Sequence, residues 1–122
     1  MKIYCFGNEF VKDDALAKTI VDDISMEDVS FVKCNSPEEL LEVKGDIVIL
    51  DVVKDISEVL LIKDIDQLKD RSIVSLHDFD LAYFLKMLKS LGRVSDITII
   101  GIPMKGDEKA IRRDVIKQIS SL

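Results

Sequence analysis

The sequence predicts an α/β fold, a three-layer sandwich with a mostly parallel sheet between two layers of helix. Three observations predict it. Short strand-like apolar runs alternate with stretches of helical spacing, and a β-α-β-α-β beginning implies parallel strands joined by right-handed crossovers. Ile47-Val48-Ile49-Leu50 is apolar without interruption, as in a central strand covered on both faces. The length of 122 residues fits a single domain over 1–122, with a core large enough to fold without a disulfide or structural metal.

The elements follow in order. Lys2–Phe6 is a short run of β-formers stopped by Gly7-Asn8. Asp13–Ile24 carries Ala17, Ile20, Val21 and Ile24 at the spacing of an amphipathic helix, with Asp13 and Asp14 in its first turn, where negative charge suits the helix dipole. Val29–Cys34 reads as the second strand. Ser36-Pro37-Glu38-Glu39 then opens a helix with a Ser cap, Pro at the first position and acids in the first turn, and Gly45 closes it. The apolar run from Ile47 ends on Asp51. Val59–Ile62 is a further strand, and the acids and lysines around it suit a sheet edge. Ser72–Leu76 reads either as a short strand or as an apolar loop. Phe79–Leu91 is a helix with Leu81, Leu85 and Leu88 on its apolar face and Gly92 behind it. Ile97–Ile102 is the last strand, broken at Gly101-Ile102-Pro103, and Asp107–Leu122 is the final helix.

The net charge of −6 argues against nucleic acid or an anionic membrane as the main partner, since both call for a basic surface. No apolar run reaches the length of a membrane span, and the N-terminus turns polar too early for a signal peptide. Cys5 and Cys34 show no metal-binding or redox spacing and read as two buried thiols in a reducing compartment. A cytoplasmic protein is expected.

Three residues stand out for chemistry. His77, the sole histidine, follows an apolar segment and precedes a helix, where the rim of a sheet would put it. A lone histidine is more often structural. Asp51 closes a dry strand, and a carboxylate there is costly unless paired, hydrogen-bonded or bound to a cation. Asp14 has the plainest alternative, because acids in a first helical turn are routine. As a set, two carboxylates and one imidazole suit nickel, zinc or iron better than calcium or magnesium, and three ligands leave positions open for water or substrate.

The sequence also resembles a family. Gly7-Asn8-Glu9-Phe10-Val11-Lys12-Asp13-Asp14 is similar to the opening of the hydrogenase maturation endopeptidases, in which a strand ends in Gly-Asn and an acidic pair begins the first helix. Ile47–Asp51 resembles that family's strand closing on a metal-ligand Asp. Ser75-Leu76-His77 resembles its Ser/Thr-x-His segment, and Ile99-Ile100-Gly101-Ile102-Pro103 its last strand and break.

The resemblance implies a five-stranded, mostly parallel sheet with Val59–Ile62 as an antiparallel edge strand and Ser72–Leu76 as loop. It implies a metal-dependent endopeptidase that removes the C-terminal extension of a nickel-bearing hydrogenase large-subunit precursor. Asp14, Asp51 and His77 would hold the nickel, which the substrate supplies; zinc or cadmium is expected to substitute in a crystal. Asn8 would orient the substrate backbone, with Gly101 and Pro103 shaping the loop that faces it. A nearby carboxylate, Asp13 or Glu9, would move the proton. The partner is the precursor, and the protein itself is expected to be a monomer.

The chain departs from the family at Ala15 and Ala17, where glycines are usual, and at Asn35-Ser36-Pro37-Glu38-Glu39, which replaces a glycine-rich segment. Two further readings therefore stand beside the protease. One is a non-proteolytic relative that binds nickel or a nickel-bearing partner. The other is a receiver-like domain, whose acidic pair, strand-end Asp and late Lys are mimicked by Asp13-Asp14, Asp51 and Lys105.

Overall fold

A computed structural model describes residues 1–6, 16–53, 56–63 and 81–122. Among these, five strands form one sheet: β1 (Lys2–Phe6), β2 (Ser30–Cys34), β3 (Gly45–Val52), β4 (Leu60–Ile62) and β5 (Val94–Ile102). Their order across the sheet is β2-β1-β3-β5-β4. The pairings β1–β2, β1–β3 and β3–β5 are parallel, and only β4 runs antiparallel, at the edge beside β5. The expected sheet, including the antiparallel edge strand near 59–62, is the one observed. Helix α1 (Leu16–Val21) lies with α3 (Glu108–Ser120) on one face, and α2 (Leu81–Ser90) covers the other.

Period-two alternation along the strands divides the core into two halves. Ile3, Cys5, Leu50, Val52, Ile100 and Ile102 meet Ala17, Ile20, Val21, Ile111, Val115 and Ile119 of α1 and α3. On the opposite face Phe6, Ile47, Ile49, Ile97 and Ile99 meet Phe84, Leu85 and Leu88 of α2, together with Leu40. Each such side chain contributes roughly 1.5–3 kcal/mol on leaving water, so an unbroken apolar run like Ile47–Leu50 is spent on both faces at once.

The segment after Ser36 differs from its expectation. Ser36 does cap it, its hydroxyl accepting the Glu38 N–H at 3.3 Å, and Glu39 returns to the Ser36 N–H at 3.0 Å. Yet the helix is a single 3-10 turn, Pro37–Leu40, and not a helix reaching Gly45. Leu40 is fully buried while Glu38 and Glu39 are exposed, and a segment as short as the one from Pro37 to Lys44 is not helical on propensity alone. At the end of α2, Gly92 has φ 71°, with its N–H on the Lys89 carbonyl and the Arg93 N–H on the Leu88 carbonyl. That left-handed closure is what its sequence position predicts. The reading of Ser72–Leu76 falls outside the described residues.

Candidate functional site

All four parallel strands finish on one rim, at Phe6, Cys34, Val52 and Ile102. From β1 the sheet extends through β2 on one side and through β3 on the other, so strand order reverses at β1. Ligand crevices in open α/β sheets form outside the carboxyl ends of the strands at such a switch point.

Asp51 stands at that point. It follows Leu50, which pairs with Cys5 of β1, and itself pairs with Gly101 of β5. It is completely buried, and alternation with Ile47 and Ile49 assigns it to the α2 side of the sheet. Its Oδ1 accepts the Val52 N–H at 2.8 Å. That backbone donor is one of the partners that make burial of a carboxylate tolerable.

Gly101 and Pro103 are buried beside it. Gly101 is a strand residue inside β5 and not part of a loop: a Cβ there would lie 2.8 Å from Val53 Cγ2, so its bareness lets Val53 close over the strand pair. Pro103 comes directly after β5, where a residue without an N–H ends the ladder.

The rim also holds a cation that the sequence reading passed over. Lys18 of α1 is 1% exposed, and its Nζ donates to Asn35 Oδ1 at 2.8 Å, just past the end of β2. β2 and β3 flank β1, so the Asn35 and Asp51 backbones stand roughly 10 Å apart by strand spacing. The available signal was Lys18 within the apolar spacing of Ala17, Ile20 and Val21, on the core side of its helix. The Asn35 and Ser36 N–H groups in turn bind the Glu39 carboxylate.

The two cysteines are buried and unpaired. Burial pushes the Cys5 thiol up to about 12, and the neighbouring Cys34 adds to the shift. Cys34 is pushed up to about 11, again chiefly by burial, with the Glu39 charge adding to it. Lys18 pulls both in the opposite direction and is outweighed. Neither thiol is a thiolate at neutral pH, so neither is poised as a nucleophile.

Of the predicted metal ligands, Asp51 is described, whereas Asp14 and His77 lie outside the described residues. So do Asn8, Glu9 and Asp13. Among the described residues, no group of three or more His, Cys, Asp or Glu side chains is placed to hold a metal ion, and no helix is long and apolar enough to cross a membrane.

The topology defines a three-layer α/β domain with a mixed five-stranded sheet whose strand order reverses between β1 and β3. In that respect the fold is similar to the solution structure of an endopeptidase from Escherichia coli, with a TM-score of 0.67 and 20% identity over 99% of this chain and 91% of that one. Compared by sequence, the chain matches no protein-family profile and none of the curated proteins. The sheet order separates it from receiver domains, in which the fourth strand is parallel and lies between the third and fifth; here β4 is antiparallel and outermost.

Proposed function

We propose that this chain is a metal-dependent endopeptidase of the hydrogenase maturation type, which recognises nickel in a hydrogenase large-subunit precursor and removes the precursor's C-terminal extension. Asp51 carries the reading: a fully buried carboxylate at the carboxyl end of a central strand, on the switch-point rim of a fold similar to that of an endopeptidase. In this reading Asp14 and His77 complete the ligand set, and two carboxylates with one imidazole fit a borderline ion such as nickel. The substrate-borne ion supplies Lewis acidity at the scissile carbonyl or at a water. Asp13 or Glu9 takes and returns the proton, which requires a carboxylate within hydrogen-bond reach of the reacting group. Asn8 orients the substrate backbone. Gly101 and Pro103 support that wall of the crevice from within the protein.

A second reading, a nickel-binding relative without proteolysis, is favoured by one specific feature. Asn35–Glu39, where the family has a glycine-rich segment, is a capped turn whose Asn35 side chain is engaged by Lys18.

The test is incubation of a nickel-loaded large-subunit precursor with wild type, Asp51→Asn and His77→Ala. The protease reading expects shortening of the precursor by wild type and at least a hundredfold slower cleavage by both variants. Nickel-dependent binding without cleavage selects the second reading. Absence of both overturns the pair.

A further inference from the structure

A lysine seldom gives up its hydration, yet Lys18 is 1% exposed, in the same helix as buried Ala17, Ile20 and Val21. Its Nζ is fixed 2.8 Å from Asn35 Oδ1, just past the carboxyl end of β2. Asn35 is itself exposed, so its side chain has water as an alternative partner and does not call for a buried cation.

Asp51 stands near the end of β3, two strands away and roughly 10 Å off along the rim. Cys5 of β1 lies between, opposite Lys33 of β2 and Leu50 of β3. Burial dominates the state of its thiol, and among the charges that bear on it Asp51 raises it and Lys18 lowers it. Lys33, the other cation nearby, is solvent-exposed and paired with Asp22 at 2.6 Å. The rim thus carries a buried ammonium on its β2 side and a buried carboxylate on its β3 side. These two have opposite effects on an incoming cation. Asp51 attracts it, and Lys18 repels it whatever other groups complete the rim, because Coulomb contributions add. At about 10 Å and an effective dielectric constant of about 20, one ammonium lowers the affinity for a divalent ion roughly a hundredfold. Burial limits the screening by salt. Toward a ligand that is anionic overall, the same ammonium is attractive.

We propose that Lys18 is a charge filter for the candidate metal site, rejecting free aqueous divalent ions and favouring an ion that arrives already held by anionic ligands. The inference rests on the reading of Asp51 as a metal ligand and adds a selectivity to it: the site takes a chelated ion presented by another molecule and takes a bare ion poorly. Lys18 acts here through its field, without touching the ion. An exposed lysine would be screened and would discriminate little, which accounts for its burial.

The experiment measures binding of two probes by calorimetry: aqueous nickel, and the nickel–nitrilotriacetate complex, which is anionic and keeps coordination positions open. The proteins are wild type, Lys18→Met, Lys18→Gln, Lys18→Arg, Asp51→Asn and Lys18→Met/Asp51→Asn, each checked for fold by circular dichroism. Met and Gln drop the charge, and Gln keeps a donor for Asn35, so misfolding of one neutral variant leaves the other. Each neutral variant is expected to bind aqueous nickel at least tenfold more tightly than wild type, and the anionic complex at least threefold more weakly. Lys18→Arg should resemble wild type with both probes, and Asp51→Asn should remove the gain seen in Lys18→Met. A lysine with a structural role alone would shift both probes in one direction or shift neither, and that result overturns the proposal. If neutral variants and wild type bind aqueous nickel equally while Asp51→Asn binds it more weakly, the filter fails and the ligand reading stands. Nickel binding indifferent to Asp51→Asn, or absent from every protein, defeats the ligand reading and the filter together.

Discussion

Replacing Gly101 with Ala tests how the rim beside Asp51 is built. The new methyl would sit 2.8 Å from Val53 Cγ2, closer than two carbons can approach, and 3.7 Å from the Leu60 carbonyl oxygen. Val53 cannot swing away cheaply, because a β-branched side chain is stiff at χ1 and its backbone N–H is fixed to the Ile102 carbonyl at 2.9 Å. Overpacking of this kind costs about 1–3 kcal/mol. A partial offset comes from the unfolded chain. The described glycines with positive φ are Gly45, Gly92 and Gly106, so Gly101 is not among those that need a left-handed backbone, and Ala recovers about 0.4–1 kcal/mol of entropy. The net expectation is a loss near 1.5 kcal/mol. Taking an unfolding entropy of roughly 2.1 cal/mol/K per residue over 122 residues, that corresponds to a fall in Tm of about 6 °C.

The assay is thermal and urea unfolding of wild type, Gly101→Ala, Val53→Ala and the double variant. Val53→Ala removes Cγ2 and leaves Val53 Cβ, which the new methyl would meet at an ordinary 3.5 Å. In that background the glycine change should therefore cost nothing or stabilise slightly, giving a coupling of at least 1 kcal/mol. An equal loss in both backgrounds would refute the steric account. It would instead show that Gly101 matters for some reason other than room for Val53.

The other predictions concern groups near the same rim. Asp51→Asn keeps an acceptor for the Val52 N–H and should stay within about 1 kcal/mol of wild type, whereas Asp51→Ala orphans that buried donor and should cost a further 1–3 kcal/mol; chemical denaturation separates the two. Cys5 and Cys34 should react with a thiol reagent far more slowly in the folded chain than in urea, and equal rates would contradict their burial. Because both thiol values are raised on folding, the folded chain keeps protons that the unfolded chain releases. Stability should therefore be level below about pH 8.5 and fall by about 1 kcal/mol per pH unit per thiol as pH rises toward 11, with a shallower slope in Cys5→Ala/Cys34→Ala. Ser36→Ala removes a cap and should lower stability by about 0.5–2 kcal/mol in the same unfolding assay.

Much of this fold is written locally. Lys2–Phe6, Ile47–Leu50 and the stripe Ile111, Val115, Ile119 each announce one element, because a single period repeated within a few residues decides both type and burial. The capped turn at Ser36 shows the limit: the cap is a local signal, but helix length depended on what lay beneath Leu41 to Lys44, which only the assembled sheet decides. Strand order was equally hidden, since nothing near Leu60 says that β5 and not β4 will sit beside β3. Asp51 was legible because it interrupts an apolar run. Lys18 was harder to read, because a lysine beside apolar helix positions ordinarily carries its charge out to solvent along its stem, and its partner Asn35 is 17 residues away.

Asp51 and Lys18 are the two charged residues among those fully buried in the described part of the chain, and both sit on the rim where the parallel strands end. Neither position needs a charge for packing: Asp51 shares its face of β3 with core residues Ile47 and Ile49, and Lys18 shares α1 with core residues Ala17, Ile20 and Val21. Burying such groups is a cost that hydrogen bonds, those with Val52 and Asn35 among them, offset, and an apolar residue of similar size would avoid it. Places where a sequence breaks its own core pattern tend to be functional sites, and here both breaks fall beside β1, where strand order reverses and a ligand crevice is expected.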